Sequence, residues 1–375
     1  MRLSDYFQEI VNNIYLFSEA DLIVLKNKLS DNDIKKLDEL LNEALAYRLK
    51  SVVDKRAMPP SGDKHDYMSI SIYHWPNPDT ADGLPYIERD GKDNPESVHG
   101  DKESLRVVAY VTLLSGILYY ITDDYKYLDI LIKYNNFWFI DEKTRMNPNL
   151  KYGQCIPGIN EGEPGGIIDY AACYGYSLNI LYILKKNAML PAEFYDGMKE
   201  WHEEFFNWIL TSDRGIMQAA RLNNQGSLND LLIFNIARFI GRANGIKEAY
   251  DSKLIVRLEQ QIDSEGKMPL ELIRTKSKSY TTMGLKMLLE SACLLMEYGY
   301  SYKGNKELLR AYSFVKDFYI NNNWNFQQIK NFDPYRGYYI LYLFSKVLGK
   351  KCPKLSYSSD EMHWGNILLK KLLED

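Results

Sequence analysis

The stretch "YTTMGLKMLLESACLLMEYG", residues 280–299, decides how the chain is read. Leu285, Leu288, Ala292 and Leu295 recur at spacings of three, four and three, which is the period of a helix and not the alternation of a strand. Gly299 follows the last apolar turn as a stop signal. Outward from this stretch the same period runs through "LDELLNEALAYRL" (37–49), "SLRVVAYVTLLSGILYYI" (104–121), "KYLDILIKYNNFWFI" (126–140) and "IIDYAACYGYSLNILYIL" (167–184). It continues in "FYDGMKEWHEEFFNWIL" (194–210), "LNDLLIFNIARFIG" (228–241), "VRLEQQID" (256–263) and "LLRAYSFVKDFYI" (308–320). Gly241 and Gly349 close further helical runs, and alternating strand patterns are scarce. About a dozen helices joined by short loops predict an all-α chain of antiparallel helical hairpins.

Composition narrows the functional classes. The 375 residues are 46% hydrophobic and 26% charged, as in an ordinary globular protein. A net charge of −4 and a pI near 5.9 leave no basic surplus for nucleic acid, so an acidic ligand has to meet a local basic patch. Cys155, Cys173, Cys293 and Cys352 are far apart, and the five histidines form no ligand-spaced cluster, so no metal or other cofactor is expected. The start, "MRLSDYFQEIVNNIYLF", is amphipathic and carries acids, unlike a secretory signal. No apolar run reaches the roughly 20 residues of a bilayer span. These features read as a cytoplasmic protein without a membrane partner, unless a leader was removed. Thirty tyrosines and six tryptophans are many for the length, and amphipathic rings suit both cores and the faces of sugars.

Two segments break the helical pattern. Residues 51–102 hold Pro59, Pro60, Pro76, Pro78, Pro85 and Pro95, six of the thirteen prolines, with Gly62, Gly83, Gly91 and Gly100. A segment of this kind is a linker or a functional loop. Tyr67, Tyr73, Trp75 and Tyr86 favour an ordered loop laid over the helices. "MNPNLKYGQCIPGINEGEPGG" (146–166) has the same character, and its "GEPGG" lacks the strand context of a phosphate loop.

Two short blocks carry candidate chemistry. In "PLELIRTKSKSYTTMG" (269–284), Ser279 is placed to cap a helix with Tyr280 in its first turn. Unpaired N–H groups there, with Arg274, Lys276 and Lys278 nearby, favour a tyrosinate able to take a proton beside a carboxylate. The plain alternative is a tyrosine packed at a helix start. In "RLNNQGSLND" (221–230), Ser227 and Asp230 have the spacing of a capping box, with the helix starting near Leu228. Asn223, Asn224 and Gln225 then precede a helix N-terminus, where neutral amides suit an anion. The plain alternative is a polar capping loop. His65 and His74 are weaker candidates for substrate contact, and His99, His202 and His363 have no suggestive neighbours.

Taken in order, four blocks resemble the alginate-lyase superfamily of polysaccharide lyases. They are the long segment at 51–97, "TRMNPNLKYGQCIPGINEGEPGGIIDY" at 144–170, "NNQGSLND" at 223–230 and "PLELIRTKSKSY" at 269–280. The resemblance implies one domain over 1–375, an (α/α) toroid with the irregular loop over a cleft for an acidic polysaccharide or oligosaccharide. It implies β-elimination at a uronic acid of the alginate, polymannuronate or glucuronan type. The family's catalytic tyrosine and arginine fall on Tyr280 and Arg274, and its Asn-Asn-His triplet on Asn223, Asn224 and Gln225. Tyr73, His74, Trp75, Arg89 and Lys276 are the implied substrate contacts. Two departures matter. Gln225 stands where the family has histidine, and Ser227, Leu228, Asn229 and Asp230 replace Thr-Trp-Tyr-Asp, removing two aromatic faces. Glutamine donates hydrogen bonds but exchanges no proton near neutral pH. Two outcomes therefore stay open: an active lyase with Tyr280 as base and acid, or a catalytically silent relative that binds acidic glycan.

Overall fold

Apolar residues at helical spacing become helices wherever the sequence sustains them. The computed structural model describes residues 14–98, 100–321, 323–354 and 363–374, which contain fifteen α-helices and four short strands. The amphipathic start before Ile14 and His99 lie outside the described residues. The residues divide into two compact units, one running to Ala219 with Asn235–Gly241, the other comprising Ala220–Phe234 and the chain from Arg242 onward.

The first unit begins with α1 (Glu19–Lys28) and α2 (Asp31–Leu45), each opened by a reciprocal Ser-x-x-Asp capping box, Ser18 with Asp21 and Ser30 with Asp33. Its core is α3 (Asp101–Thr122), which packs against α4 (Tyr125–Asn135) and α6 (Tyr174–Lys186). By length and composition α3 could cross a membrane, but 89% of its apolar window is buried, as in the core helix of a globular unit. The run at 167–184 breaks at Ala172 and Cys173 into α5 (Ile167–Ala171) and α6. Then come α7 (Ala192–Thr211) and α8 (Asp213–Ala219).

The proline-rich segment is built into this unit. Within it lie β1 (Met68–Ile70), β2 (His74–Trp75) and β3 (Ile87–Glu88); β2 and β3 form an antiparallel hairpin. β1 pairs in parallel with β4 (Tyr152–Cys155) from the second irregular stretch. Buried Asp169 on α5 fastens both: it accepts from Tyr67 Oη (3.1 Å), Ser69 Oγ (2.5 Å) and Gln154 Nε2 (2.9 Å), and pairs with buried Lys102 at 2.9 Å. The segment is therefore an ordered loop, held by a charge that would be costly to leave unpaired. "GEPGG" forms a 3₁₀ turn leading into α5, where the bare Cα of Gly166 lies against the Gly153 backbone.

α9 (Asn224–Phe239) contributes residues up to Phe234 to the second unit. That unit continues with α10 (Ala243–Gln261), the single turn α11 (Pro269–Leu272), α12 (Ser277–Met296), α13 (Lys306–Ile320), α14 (Pro334–Leu348) and α15 (Trp364–Leu373). α12 is the hub, packed against α10, α11 and α14. The three predicted stop glycines, Gly241, Gly299 and Gly349, all have positive φ, the left-handed geometry that favours glycine after a helix.

Candidate active site

Two sequence blocks, nearly fifty residues apart, meet in the second unit through one carboxylate. α9 starts at Asn224, earlier than the capping-box spacing predicts. Asn223 is the capping residue, its Oδ1 accepting the Gln225 N–H at 3.2 Å. Ser227 lies inside the helix and exchanges hydrogen bonds with Gln261. Asp230 makes a buried ion pair with Arg257 at 2.8 Å and meets Lys253 at 2.6 Å. The Ser227–Asp230 capping box is thus absent because stronger partners, two cations and an amide, claim both side chains. Arg257 also donates to the Arg221 carbonyl. A side chain at Gly226 would collide with that carbonyl and the guanidinium, which accounts for glycine in the first turn.

Asn224 is only 4% exposed. Its backbone N–H donates to Glu271 Oε1 at 2.8 Å and its amide Nδ2 to Glu271 Oε2 at 2.6 Å. Glu271, 1% exposed, belongs to α11. Burial pushes its carboxyl up, while the two bonds from Asn224 and the Arg274 charge pull the other way. The Glu271 carbonyl also accepts the Arg274 N–H at 3.3 Å. From there the chain enters α12, and Arg274 folds back on it. Its Nη2 donates to Tyr280 Oη at 3.0 Å, and its Cζ lies 4.0 Å above the Tyr280 ring. Tyr280 is 8% exposed.

α12 begins at Ser277, so Ser279 sits within the first turn and is not the cap. Lys276 holds the N-cap position and bridges in antiparallel fashion to Gln328. The first-turn donors, expected to be unpaired, are engaged: Ser277 N–H bonds Gln327 O at 3.0 Å and Ser279 N–H bonds Gln328 Oε1 at 3.3 Å. Trp324 Nε1 donates to Ser277 Oγ at 2.8 Å. Lys278 is buried, its Nζ 4.6 Å over Phe332, and burial pushes its ammonium down to about 8. Of the three cations flanking the tyrosine in sequence, Arg274 donates to the phenol oxygen.

The other sequence candidates form a separate cluster in the first unit. The β2–β3 hairpin brings Tyr73, His74, Trp75 and Arg89 together, with the Arg89 N–H on Tyr73 O at 2.7 Å and its guanidinium 5.5 Å from the Trp75 ring. His74 Nδ1 is 2.8 Å from Ser71 Oγ. His65 donates from Nδ1 to Arg145 O, a structural bond. His202 lies in an aromatic core against Tyr170. Leu228 and Asn229 are buried in α9. Glu271 and the 327–328 segment were missed. Neither carries a local signal, because both are placed by partners distant in the sequence. Among the described residues no group of three or more His, Cys, Asp or Glu side chains converges on a metal position.

Fold and site together describe an all-helical protein in which a guanidinium-bound tyrosine and an amide-bearing helix start are joined by a buried acid. The alginate lyase family matches residues 51–325, and the chain belongs to that family. It is a polysaccharide lyase by that membership. A crystal structure of an alginate lyase from Bacteroides ovatus is similar over 97% of this chain and 96% of its own, at 29% identity and a TM-score of 0.82. Alginate lyase A1-III from Sphingomonas species A1 shares the fold at 16% identity and a TM-score of 0.50, covering 90% of this chain and 88% of its own. The fold class is that of the (α/α) toroids. A search of curated proteins finds no match.

Proposed function

We propose that the chain cleaves a uronate-containing polysaccharide, of the alginate, polymannuronate or glucuronan type, by β-elimination with Tyr280 as base and then acid. The observation that carries this is the Arg274–Tyr280 contact. A guanidinium donating to a phenol oxygen stabilises the phenolate more than the phenol. In the reaction the Tyr280 oxygen takes the C5 proton. The electron pair becomes the C4–C5 double bond, the bond from C4 to the glycosidic oxygen breaks, and that oxygen leaves with the proton from Tyr280. No water is consumed.

Removing the C5 proton is feasible only when the adjoining C6 carboxylate is neutralised as charge builds. Arg274, the Asn224 amide and the Gln225 amide are the proposed donors. Gln225 cannot act as a proton carrier, so both proton transfers rest on Tyr280. Asn223 and Lys276 would line the same region. Tyr73, His74, Trp75 and Arg89 are proposed to hold the sugar chain, Trp75 through its ring and Arg89 through its charge.

The test incubates the protein with polymannuronate, polyguluronate, glucuronan and hyaluronan and follows ultraviolet absorbance of the unsaturated uronate. Product on at least one polymer supports the proposal. Measurable binding of these glycans with no product on any would replace it with a silent acidic-glycan binder, which the glutamine at position 225 makes the competing reading.

A further inference from the structure

The structure assigns to Glu271 the role of positioning residue for the Asn224 amide, an inference that rests on the lyase reading of this site. Asn224 is the first residue of α9, so its backbone N–H lacks a partner within the helix. Glu271 supplies one from α11 and captures the side-chain amide with its other oxygen, at 2.8 and 2.6 Å.

An ionised carboxylate only accepts hydrogen bonds, so the Asn224 nitrogen must face it. That fixes which edge of the amide is donor and which is acceptor. One N–H goes to Glu271, and the other meets no partner among the described residues and remains a donor for a substrate carboxylate. The same glutamate is tied through its carbonyl to the Arg274 N–H, so one residue sets the amide block against the Arg274–Tyr280 pair. Its charge is kept close to Arg274, whose own charge offsets it. A glutamine here would change this logic. Its oxygen could still accept the backbone N–H, but its NH₂ would oppose the Asn224 NH₂. The Asn224 amide would turn over and present its oxygen where a donor is needed.

Kinetics of Glu271→Gln, Asn224→Ala and the double variant test the assignment on the uronate polymer cut by the wild type. Glu271→Gln is expected to lower kcat by about 10- to 100-fold with a smaller change in KM, the scale of a misplaced reacting or binding group. In the Asn224→Ala background the same change is expected to alter kcat by no more than about twofold, because the two act as one unit. Wild-type kcat in folded Glu271→Gln, or effects that multiply in the double variant, would overturn it.

A second measurement uses the wild-type chain labelled with ¹⁵N-asparagine. The Asn224 side-chain amide, identified by its loss in Asn224→Ala, should show protected protons with one shifted downfield. Exchange as fast as that of a surface asparagine would overturn the assignment. This readout needs no turnover. If no uronate polymer is cut, the lyase reading falls while the amide signals still decide what Glu271 does to Asn224.

Discussion

Arg274 touches Tyr280 twice, through a hydrogen bond to the phenol oxygen at 3.0 Å and through its guanidinium carbon, 4.0 Å from the ring centroid. Both contacts need a flat, forked cation. Lysine keeps the charge but has neither the plane nor the fork. Arg274→Lys is therefore expected to lower kcat/KM by roughly 10²- to 10³-fold, the loss seen when one preorganised donor is removed. Steady-state rates on the cleaved polymer check this; a rate within twofold of wild type would show that charge alone suffices.

Gln225 separates two accounts of the proton chemistry. If Tyr280 carries both transfers, Gln225→His adds a titrating side chain without adding a needed step. The rate near neutral pH should stay within about tenfold of wild type, with a new inflection near the ordinary histidine value of about 6.5. A gain of two orders of magnitude would mean that a proton carrier is missing from the natural chain.

The buried Arg257–Asp230 pair holds the first turns of α9 against α10. Arg257→Met leaves Asp230 to Lys253 alone and frees the Arg221 carbonyl. Breaking a buried pair from one side costs about 3 kcal/mol or more. Denaturant titration should show a clear drop in midpoint, and an unchanged midpoint would mean that solvent already reaches the pair.

Acid stability has a definable contributor in His202. Burial pushes its imidazole down to about 4, and the neutral ring donates from Nδ1 to Met198 O while Nε2 accepts from Tyr170. A depressed histidine contributes stability that is fully present above the unfolded value near 6.5 and is lost as pH falls through 4. The contribution is about 3 kcal/mol across that window. Asp101, pushed up to about 6 by burial, acts with the opposite sign, gaining stability as pH falls through 6. The check is therefore a difference: wild type should lose more stability than His202→Gln between pH 6.5 and 4. Parallel curves would contradict it.

The helices were legible because period and stop signals agree, as Leu285, Leu288, Ala292, Leu295 and Gly299 illustrate in α12. Arg274 and Tyr280 are both named from the sequence, and the structure places Arg274 Nη2 3.0 Å from Tyr280 Oη. The caps were not. Ser227 and Ser279 have the right spacing to cap, but Gln261, Gln328 and Arg257 come from distant parts of the sequence and reassign the local partners. Glu271 was invisible for the same reason: nothing in "PLELIRT" announces that its carboxylate will be buried against a backbone N–H 47 residues upstream. Local propensity states what a residue can do alone, whereas burial and long-range partners decide which option it takes.

The most direct measurement is the initial rate of unsaturated-uronate formation by Tyr280→Phe beside wild type on the same polymer. Phenylalanine keeps the ring under Arg274 and removes the one oxygen assigned to both proton transfers. The account predicts that absorbance rises with wild type and stays at the background slope with Tyr280→Phe, while glycan binding persists. A Tyr280→Phe protein that forms product at the wild-type rate would contradict it.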